Sequence, residues 1–362
     1  MDKQTENKEI KELLYSSFLE PYLMNDDITD ISYNGTTLFI QDNKKGRYKA
    51  KDQPSQEAIA TIVRSIANIR NKEFTDASPI LDTEIDNIRL NAVHKTISPF
   101  GITMAIRVSK PRKAITSLAT LANSQIEQLL KVLVETKNHM IISGETGSGK
   151  TELQKLLVDF IPEHHNITLM EDTMDSHIKS LYPNKDIRSW RIRKEENINV
   201  TFHDLIKSGL RNNPDWLIIS EIRGGEAYEM LESALTNHSI ITTLHASDAK
   251  SIPSRIMRMI GKVYQQNELL LGKDISQLGF GIHMGMDYTK EGSIRRYIKE
   301  IVEFLDFSED GIEYNLIYER IKKYDEETKK YHEEEFMGRI SEKTKKNLIF
   351  AEKIHQVPSI FM

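Results

Sequence analysis

One glycine-rich stretch has the residue types and the spacing to bind a chain of phosphates. Residues 144–151 match the pattern G-x-x-x-x-G-K-T of the phosphate-binding P-loop. Glycines let several backbone N–H groups converge on one anion, the lysine reaches the β- and γ-phosphates, and the threonine hydroxyl binds Mg²⁺. The stretch predicts a site for ATP and Mg²⁺ made of Gly144, Glu145, Thr146, Gly147, Ser148, Gly149, Lys150 and Thr151.

The flanking segments supply the context that a P-loop needs. The apolar run 139–143 predicts a buried strand before the loop. Residues 152–157 predict a helix after it, whose N-terminal dipole favours phosphate. A chance glycine-rich turn is the alternative, and the correct flanks on both sides argue against it.

ATP hydrolysis also needs a carboxylate that binds Mg²⁺ or orients the attacking water, usually at the end of a neighbouring strand. Glu221 directly follows the predicted strand 216–220 and is the best candidate, although aspartate is more common there. Glu171 ends another predicted strand and begins a second acidic cluster. We expect Thr151 and Glu221 to hold the metal ion. The alternative for each acidic cluster is a solvated strand end.

Two histidines flank a third predicted strand, residues 240–244. His238 precedes this strand and His245 follows it. One interpretation is that a histidine here senses the γ-phosphate, and the alternative is an ordinary hydrogen-bonded side chain. A zinc site is not expected, because neither histidine has further ligands at suitable spacing.

Composition bounds the class of protein. The chain has 362 residues, enough for two or three domains, and a net charge of −5, so bulk nucleic-acid binding is not expected. It has no cysteine, which excludes disulfides and fits a reducing compartment. The polar residues 1–11 do not resemble a signal peptide. No apolar run approaches the roughly 20 residues that span a bilayer, so any membrane contact is expected to be peripheral.

The pattern of helices and strands predicts an α/β protein in several parts. Residues 1–108 are expected to form a smaller α+β domain, with a helix over residues 8–20 and a hairpin at Asn34-Gly35. Residues 109–118 are a proline-containing linker. Helices then alternate with strands in residues 119–308, which predicts a parallel-rich sheet covered by helices.

The end of the chain departs from this alternation. Residues 280–286 and 297–304 predict two strands joined by a turn at Glu291-Gly292, and residues 312–318 are a candidate third strand. The last forty residues are charged with a helical apolar pattern. We treat residues 309–362 as a C-terminal extension of unknown role.

Four motifs in this order resemble those of the bacterial secretion ATPases, which serve type II and type IV secretion, type IV pili and conjugation. The family calls them Walker A, Asp box, Walker B and His box, and the matching residues here are 144–151, 170–172, 219–227 and 242–246. Residues 28–31 and 34–35, with Arg89 and Arg107 on predicted strands, resemble the family's N-terminal domain. The resemblance covers roughly residues 25 to 305.

The resemblance implies a RecA-like P-loop ATPase domain in a homo-hexameric ring. It implies a cytoplasmic motor at the inner face of the cytoplasmic membrane, working on membrane-embedded secretion-channel or pilus-platform proteins. Glu221 matches the main catalytic acid, with Glu171 assisting. His245 matches the His-box histidine, and Arg89 and Arg107 match arginines that approach the phosphates.

Two differences from the family pattern bear on which branch of the family this sequence resembles most. Residues 236–239 lack both glycines of the family's usual Gly-His-x-Gly-Ser, so His238 receives no role from the resemblance. The absence of cysteine disfavours the branch that carries a four-cysteine zinc module. The type IV secretion and conjugation branch is favoured. Pilus or tight-adherence assembly, a nucleotide-locked scaffold and a nucleic-acid translocase remain the alternatives.

Overall fold

The computed structural model describes residues 2–195, 198–289 and 293–362. The chain divides into two compact units. Unit 1 comprises Met1–Lys110 with Asp287–Arg295, and unit 2 comprises Pro111–Met286 with Arg296–Met362. The predicted turn at Glu291-Gly292 lies outside the described residues.

Unit 1 contains a six-stranded antiparallel sheet in the order β3-β2-β1-β6-β5-β4. Along most of its strands, apolar residues facing the core alternate with more exposed ones, which is typical of a sheet with one covered face. The predicted Asn34-Gly35 hairpin is confirmed, and it joins β1 to β2. The strands are β1 (Ile28–Tyr33), β2 (Leu38–Asp42), β3 (Gly46–Lys49), β4 (Ile80–Ile85), β5 (Ile88–Val93) and β6 (Thr103–Val108).

Among its described residues, unit 1 has the helices α1 (Lys3–Tyr15), α2 (Glu20–Leu23) and α3 (Gln56–Ile69). Ser55 caps α3, because its hydroxyl accepts a hydrogen bond from the Ala58 N–H at 3.1 Å. The apolar stripe of α3 then packs against the buried side of the sheet.

The helix predicted over residues 8–20 is only partly right, because α1 covers residues 8–15 of that span and ends at Tyr15. The chain leaves α1 after Tyr15, where the Ser17 hydroxyl donates to the Leu14 carbonyl oxygen at 2.7 Å and accepts from the Leu19 N–H at 3.1 Å. Pro21 lies in the first turn of α2, a position that starts a new helix rather than continuing an old one.

Unit 2 contains a nine-stranded sheet in the order β17-β16-β15-β14-β7-β13-β12-β8-β9. The pairs from β14 to β9 are parallel, and those joining β15, β16 and β17 are antiparallel. β10 (Arg193–Glu195) and β11 (Ile198–Val200) form a separate pair. The sheet strands are β7 (Met140–Gly144), β8 (Asn166–Glu171), β9 (Asp186–Arg191), β12 (Trp216–Ile219), β13 (Ser239–Leu244), β14 (Phe280–Tyr288), β15 (Ile294–Ser308), β16 (Gly311–Asp325) and β17 (Lys330–Met337).

Helices pack on both faces of this sheet. One apolar core includes residues of α4, α5 and α11, and another includes residues of α7, α8, α9 and α10. Every residue of β7, β12 and β13 is buried, which explains why these strands are mostly apolar rather than alternating. The helices are α4 (Ser124–Glu135), α5 (Lys150–Asp159), α6 (Ile178–Leu181), α7 (Phe202–Leu210), α8 (Ala227–Leu235), α9 (Ile252–Gly261), α10 (Glu268–Ser276) and α11 (Glu342–Phe350). The three short 3-10 turns are Leu118–Thr120, Ile354–Gln356 and Ser359–Phe361.

The helical pattern predicted for the last forty residues is only partly right. Lys330–Met337 is a strand, paired with β16 over its whole length, and the helix is confined to Glu342–Phe350. Charged residues on both sides of β17 concealed its strand period. The segment after residue 308 therefore extends the sheet of unit 2 and adds Leu348 to its core.

Within the part of the chain that the structure describes, no helix is both long enough and apolar enough to cross a bilayer.

Candidate nucleotide-binding site

The P-loop lies between the buried strand β7 and the start of α5, as its sequence predicts. Gly147 and Gly149 have φ angles of 83° and 95°, in the left-handed region that glycine adopts without strain. A Cβ at Gly144 would lie 2.6 Å from the Ser148 Oγ, so this end of the loop also excludes a side chain. The loop is a backbone cradle at a helix N-terminus, which suits an anion.

Lys150 turns its ammonium group back onto the loop. Its Nζ donates to the carbonyl oxygens of Gly144 at 2.9 Å and Glu145 at 3.0 Å. Burial lowers the pKa of Lys150, the Glu221 carboxylate acts in the opposite direction, and the Arg223 cation adds to the lowering. Thr151, the next residue, is exposed in the first turn of α5.

Glu221 lies just beyond the carboxyl end of β12, two strands away from β7. Its Oε2 accepts a hydrogen bond from Arg223 Nη2 at 2.7 Å. Its Oε1 lies 3.2 Å from His245 Nε2, but the two atoms are not aligned for a hydrogen bond, and this buried oxygen has no hydrogen-bond partner. An unsatisfied buried carboxylate oxygen is costly and is typical of a position that binds something else.

Arg223 joins the ends of two strands. Besides Glu221, its guanidinium contacts Asp172 Oδ2 at 3.2 Å, and Asp172 follows β8. The Ser220 hydroxyl also approaches Asp172 Oδ1, at 3.5 Å. Carboxyl ends of parallel strands meet at one edge of a sheet, so Glu221, Asp172 and His245 come together there.

Glu171 has a different environment from Asp172. It is 1% exposed, and its Oε1 accepts a hydrogen bond from the Ser176 N–H at 3.1 Å. Burial is the main cause that raises the pKa of Glu171. The carboxylates of Asp172 and Asp175 add to the rise, while the hydrogen bonds with Ser176 oppose it. Of the two adjacent acids, Asp172 is the one whose described contacts lead to Glu221.

The two histidines lie at opposite ends of β13. His245 follows the strand and is close to Glu221. His238 precedes it, and its Nδ1 lies 3.2 Å from the Thr236 Oγ1 and 3.3 Å from the Ser233 carbonyl oxygen. Seven residue steps at about 3.3 Å each separate the histidines by roughly 23 Å along the strand. Of the two histidines, only His245 is near enough to the candidate catalytic groups to sense the γ-phosphate.

Arg89 and Arg107 belong to unit 1. They are directly paired across β5 and β6, on the side of the sheet that does not face the apolar core. Arg89 Nε lies 3.8 Å from Glu84, and Arg107 Nε donates to Asp30 at 3.0 Å. Both arginines therefore take part in ion pairs within their own sheet.

Arg296 is a residue near the P-loop that the sequence did not single out. It lies on β15, and its Nε donates to the Gly147 carbonyl oxygen at 2.8 Å. No local motif marks this position, and only the order of strands in the sheet could have indicated it.

In the described part of the chain, side chains alone do not form a metal site. Among residues 2–195, 198–289 and 293–362, no group of three or more His, Asp or Glu side chains is placed to hold a metal ion. Mg²⁺ commonly binds through one or two protein oxygens together with substrate phosphates.

Comparisons with known proteins agree with the motifs. A family model described as "Type II/IV secretion system protein" matches residues 76–275. An uncharacterized protein of Bacillus anthracis is 35% identical over 322 residues, covering 86% of this chain and 72% of that protein. The type IV secretion system protein VirB11 of Brucella suis is 25% identical over 288 residues, covering 69% of this chain and 78% of VirB11.

A solved structure shares the fold. The Legionella pneumophila ATPase DotB matches over 84% of this chain and 81% of DotB, with a TM-score of 0.56 and 19% sequence identity. The resemblance inferred from the four motifs is confirmed. The chain belongs to the type II/IV secretion ATPase family, in its type IV secretion and conjugation branch.

Proposed function

We propose that the protein is an ATP-hydrolysing motor of a type IV secretion or conjugation machine. Unit 2 is the RecA-like ATPase domain, and the motor works in the cytoplasm at the inner face of the cytoplasmic membrane. Six copies of the protein form a ring. This ring works on membrane-embedded channel proteins. Family membership and the names VirB11 and DotB support this assignment.

One observation carries the enzymatic part of the proposal. A buried carboxylate oxygen of Glu221 has no hydrogen-bond partner, and the electrostatic influence of Glu221 reaches Lys150 in the P-loop. One oxygen of this carboxylate is held by Arg223, and the other faces His245 at 3.2 Å, so the second oxygen is placed to accept from a water molecule. A general base that orients water needs such a free oxygen.

The residues fit ATP and Mg²⁺. The loop backbone at Gly147 and Gly149 is open to an anion, and Lys150 needs only to exchange two carbonyl oxygens for phosphate oxygens. Thr151 and Glu221 would hold Mg²⁺, which neutralises developing charge on the phosphates. Glu221 then accepts the proton of the attacking water, while Arg223 keeps its carboxylate oriented.

The remaining proposed residues act around this centre. His245 lies near the Glu221 oxygen and is suited to respond to the γ-phosphate. Glu171 supports the loop after β8 through Ser176. Arg89 and Arg107, in unit 1, are proposed to contribute charge to the transferred phosphoryl group when the ring is assembled.

Three alternatives differ from this proposal in measurable ways. A nucleotide-locked scaffold predicts ATP binding with negligible turnover. A pilus or tight-adherence assembly ATPase predicts the same chemistry with a different membrane partner. A nucleic-acid translocase predicts stimulation by DNA or RNA, and the net charge of −5 does not favour it.

A steady-state ATPase assay of the full chain tests the proposal. Lys150→Ala should abolish turnover, because the ammonium stabilises charge on the β- and γ-phosphates. Lys131→Ala is the matched control, since it removes a half-exposed lysine from α4. Equal turnover in wild type and Lys150→Ala, with both variants folded by circular dichroism, would refute the assignment.

A further inference from the structure

The backbone of Arg223 is held in place in the loop that follows β12. The preceding residue, Ile222, donates its N–H to the Thr243 carbonyl oxygen of β13 at 2.9 Å. The Glu226 Oε1 accepts from the N–H groups of Arg223 at 2.7 Å and of Gly224 at 2.9 Å. These hydrogen bonds anchor the chain on both sides of Arg223, so its side chain starts from a defined position.

The guanidinium group of Arg223 lies between two carboxylates that follow different strands. Its Nη2 donates to Glu221 Oε2 at 2.7 Å, and its Nη1 lies 3.2 Å from Asp172 Oδ2. The other oxygen of Asp172 accepts from the Thr173 N–H at 2.9 Å. The other oxygen of Glu221 is buried and accepts no hydrogen bond from the described residues. One arginine therefore engages one oxygen of each carboxylate and leaves Glu221 Oε1 open.

The charges beside the P-loop balance before any ligand binds. Burial is the main cause that lowers the pKa of Lys150, while the Glu221 carboxylate raises it and the Arg223 cation lowers it further. These three groups therefore lie within electrostatic reach of one another. With Asp172 they make two cations and two anions. A divalent cation that enters such a neutral cluster gains little attraction to offset the loss of its hydration water.

We propose that Arg223 makes metal binding conditional on nucleotide, because it occupies both carboxylates and so admits Mg²⁺ only together with phosphates. This inference rests on the proposed function, since it takes the nucleotide to bind in the P-loop. The open oxygen of Glu221 and the hydroxyl of Thr151 are the two protein oxygens left for the metal ion. Mg²⁺ prefers six oxygens, and in such sites substrate phosphates and water supply the rest. Arg223 is thus a positioning residue that acts through Glu221 and Asp172.

Removal of the guanidinium leaves two neighbouring carboxylates with no cation between them. Both contact the same side chain, so they lie close together and repel each other once it is gone. Carboxylate oxygens are good ligands for Mg²⁺ and Mn²⁺. A variant without the positive charge at position 223 should therefore hold a divalent cation in the absence of nucleotide.

Mn²⁺ titration of the full chain, followed by the electron paramagnetic resonance signal of free Mn²⁺, tests the proposal without turnover. Arg223→Gln should bind one Mn²⁺ per chain without nucleotide, about tenfold or more tightly than wild type does. Wild type should bind Mn²⁺ when ADP is added, after subtraction of the complex that ADP forms alone. Arg223→Lys should gain a smaller part of the affinity, because an ammonium keeps the charge but does not span two carboxylates.

Two further variants identify the cause of the gain. Arg258→Gln is the matched control, since Arg258 is exposed on α9 and its removal changes the net charge equally. It should bind Mn²⁺ as wild type does. The double variant Arg223→Gln with Asp172→Asn should lose the gained affinity, because one of the two carboxylates is then neutral.

Calorimetry supplies a second measurement through thermodynamic linkage. The factor by which Mn²⁺ tightens ADP binding equals the factor by which ADP tightens Mn²⁺ binding. If Arg223 withholds the metal ion from the nucleotide-free protein, this factor should be about tenfold smaller in Arg223→Gln than in wild type. A merely structural role for Arg223 would weaken ADP binding equally with and without Mn²⁺, and would leave the factor unchanged.

The outcomes separate this proposal from the proposed function. Equal Mn²⁺ affinity of wild type and Arg223→Gln without nucleotide, or an equal gain in Arg258→Gln, overturns the role of Arg223 and leaves the proposed function intact. If wild type binds neither ADP nor Mn²⁺ in the presence of ADP, the proposed function fails and the conditional metal site fails with it. If circular dichroism shows that Arg223→Gln does not fold, Arg223→Lys decides, and wild-type Mn²⁺ affinity in that variant overturns the proposal.

Discussion

Arg89 and Arg107 lie directly opposite each other on the neighbouring strands β5 and β6. Like charges at such a position destabilise a sheet by a few tenths to about 1 kcal/mol. Each arginine has a carboxylate opposite it on its other neighbouring strand. Glu84 on β4 is opposite Arg89, and Asp30 on β1 is opposite Arg107. The row is therefore acid, base, base, acid, and each arginine has a carboxylate on its outer side.

This row predicts that either arginine can be removed without harming the fold. Arg89→Gln, Arg107→Gln and the double variant should keep a free energy of unfolding within about 1 kcal/mol of wild type, because the lost exposed ion pair is offset by relieved repulsion. ATP hydrolysis should fall by about 10³ or more if the arginines reach the transferred phosphate, while ADP affinity stays nearly unchanged. Urea unfolding, calorimetry and a steady-state assay measure the three quantities.

Arg47→Gln is the control for these variants. Arg47 is exposed on β3, paired with Gln41, and Gln41 is paired with Asp30, so it lies in the same cross-strand row. Its removal should change neither turnover nor stability noticeably. If the double variant of Arg89 and Arg107 hydrolyses ATP at the wild-type rate, these arginines serve only the sheet.

Glu221→Gln should separate binding from chemistry. The amide keeps the shape of the side chain but cannot accept the proton of the attacking water, so turnover should fall by about 10² or more. Binding of ADP without Mg²⁺ should persist, because the P-loop is unaltered and the metal ion that Glu221 would hold is absent from that measurement. Rapid-quench hydrolysis and calorimetric binding measure the two effects.

Glu232→Gln, an exposed carboxylate on α8, is the matched control for Glu221. Wild-type hydrolysis by Glu221→Gln would mean that another acid activates the water. Asp172 would then be the next candidate, because Arg223 links it to the same cluster.

The α/β class could be predicted from the sequence, and so could most of the residues at the carboxyl ends of the strands beside the P-loop. Both depend on short-range patterns. Residues 216–219 and 240–244 are strands as expected, and parallel pairing brings their carboxyl ends together without further information. The position of Glu221 beside His245 follows from this rule. The RecA-like assignment stays a proposal.

The parts that the sequence did not predict depend on contacts between distant residues. Arg296 is bonded to Gly147, which is 149 residues earlier in the chain. The placement of β15 beside β14 brings the two together. β17 lies at the sheet edge, where charged residues on both faces conceal a strand. The choice between Glu171 and Asp172 depends on which way each side chain turns at the end of β8, and periodicity does not reveal that direction.

Assembly provides a separate prediction. The family resemblance implies that six copies form a closed ring, since an open head-to-tail contact would give filaments. We expect the hexamer to be favoured by Mg²⁺ with a non-hydrolysable ATP analogue. Light scattering at micromolar protein, with and without the analogue, measures the mass. A monomer under both conditions would contradict the ring, and Lys150→Ala should lose the effect of the analogue.

The buried carboxyl group of Glu171 makes stability depend on pH in a defined direction. Because burial raises its pKa in the folded protein above the ordinary 4.5, the folded state prefers the protonated form. The stabilising contribution is fully present below the pKa of the unfolded chain, and it is lost as the pH rises through the folded pKa. At neutral pH the folded protein therefore holds a carboxylate there at a cost.

Glu171→Gln removes this cost while keeping an oxygen that can accept from the Ser176 N–H. Its free energy of unfolding should equal that of wild type below the pKa of the unfolded chain, exceed it as the pH rises through the folded pKa, and then keep a constant excess. Urea unfolding of both proteins across that range measures the difference, with Glu232→Gln as the exposed control, whose difference from wild type should be small. A Glu171→Gln difference that stays constant across the whole range, or that shrinks as the pH rises, would mean that burial does not raise the pKa of the Glu171 carboxyl group in the folded protein.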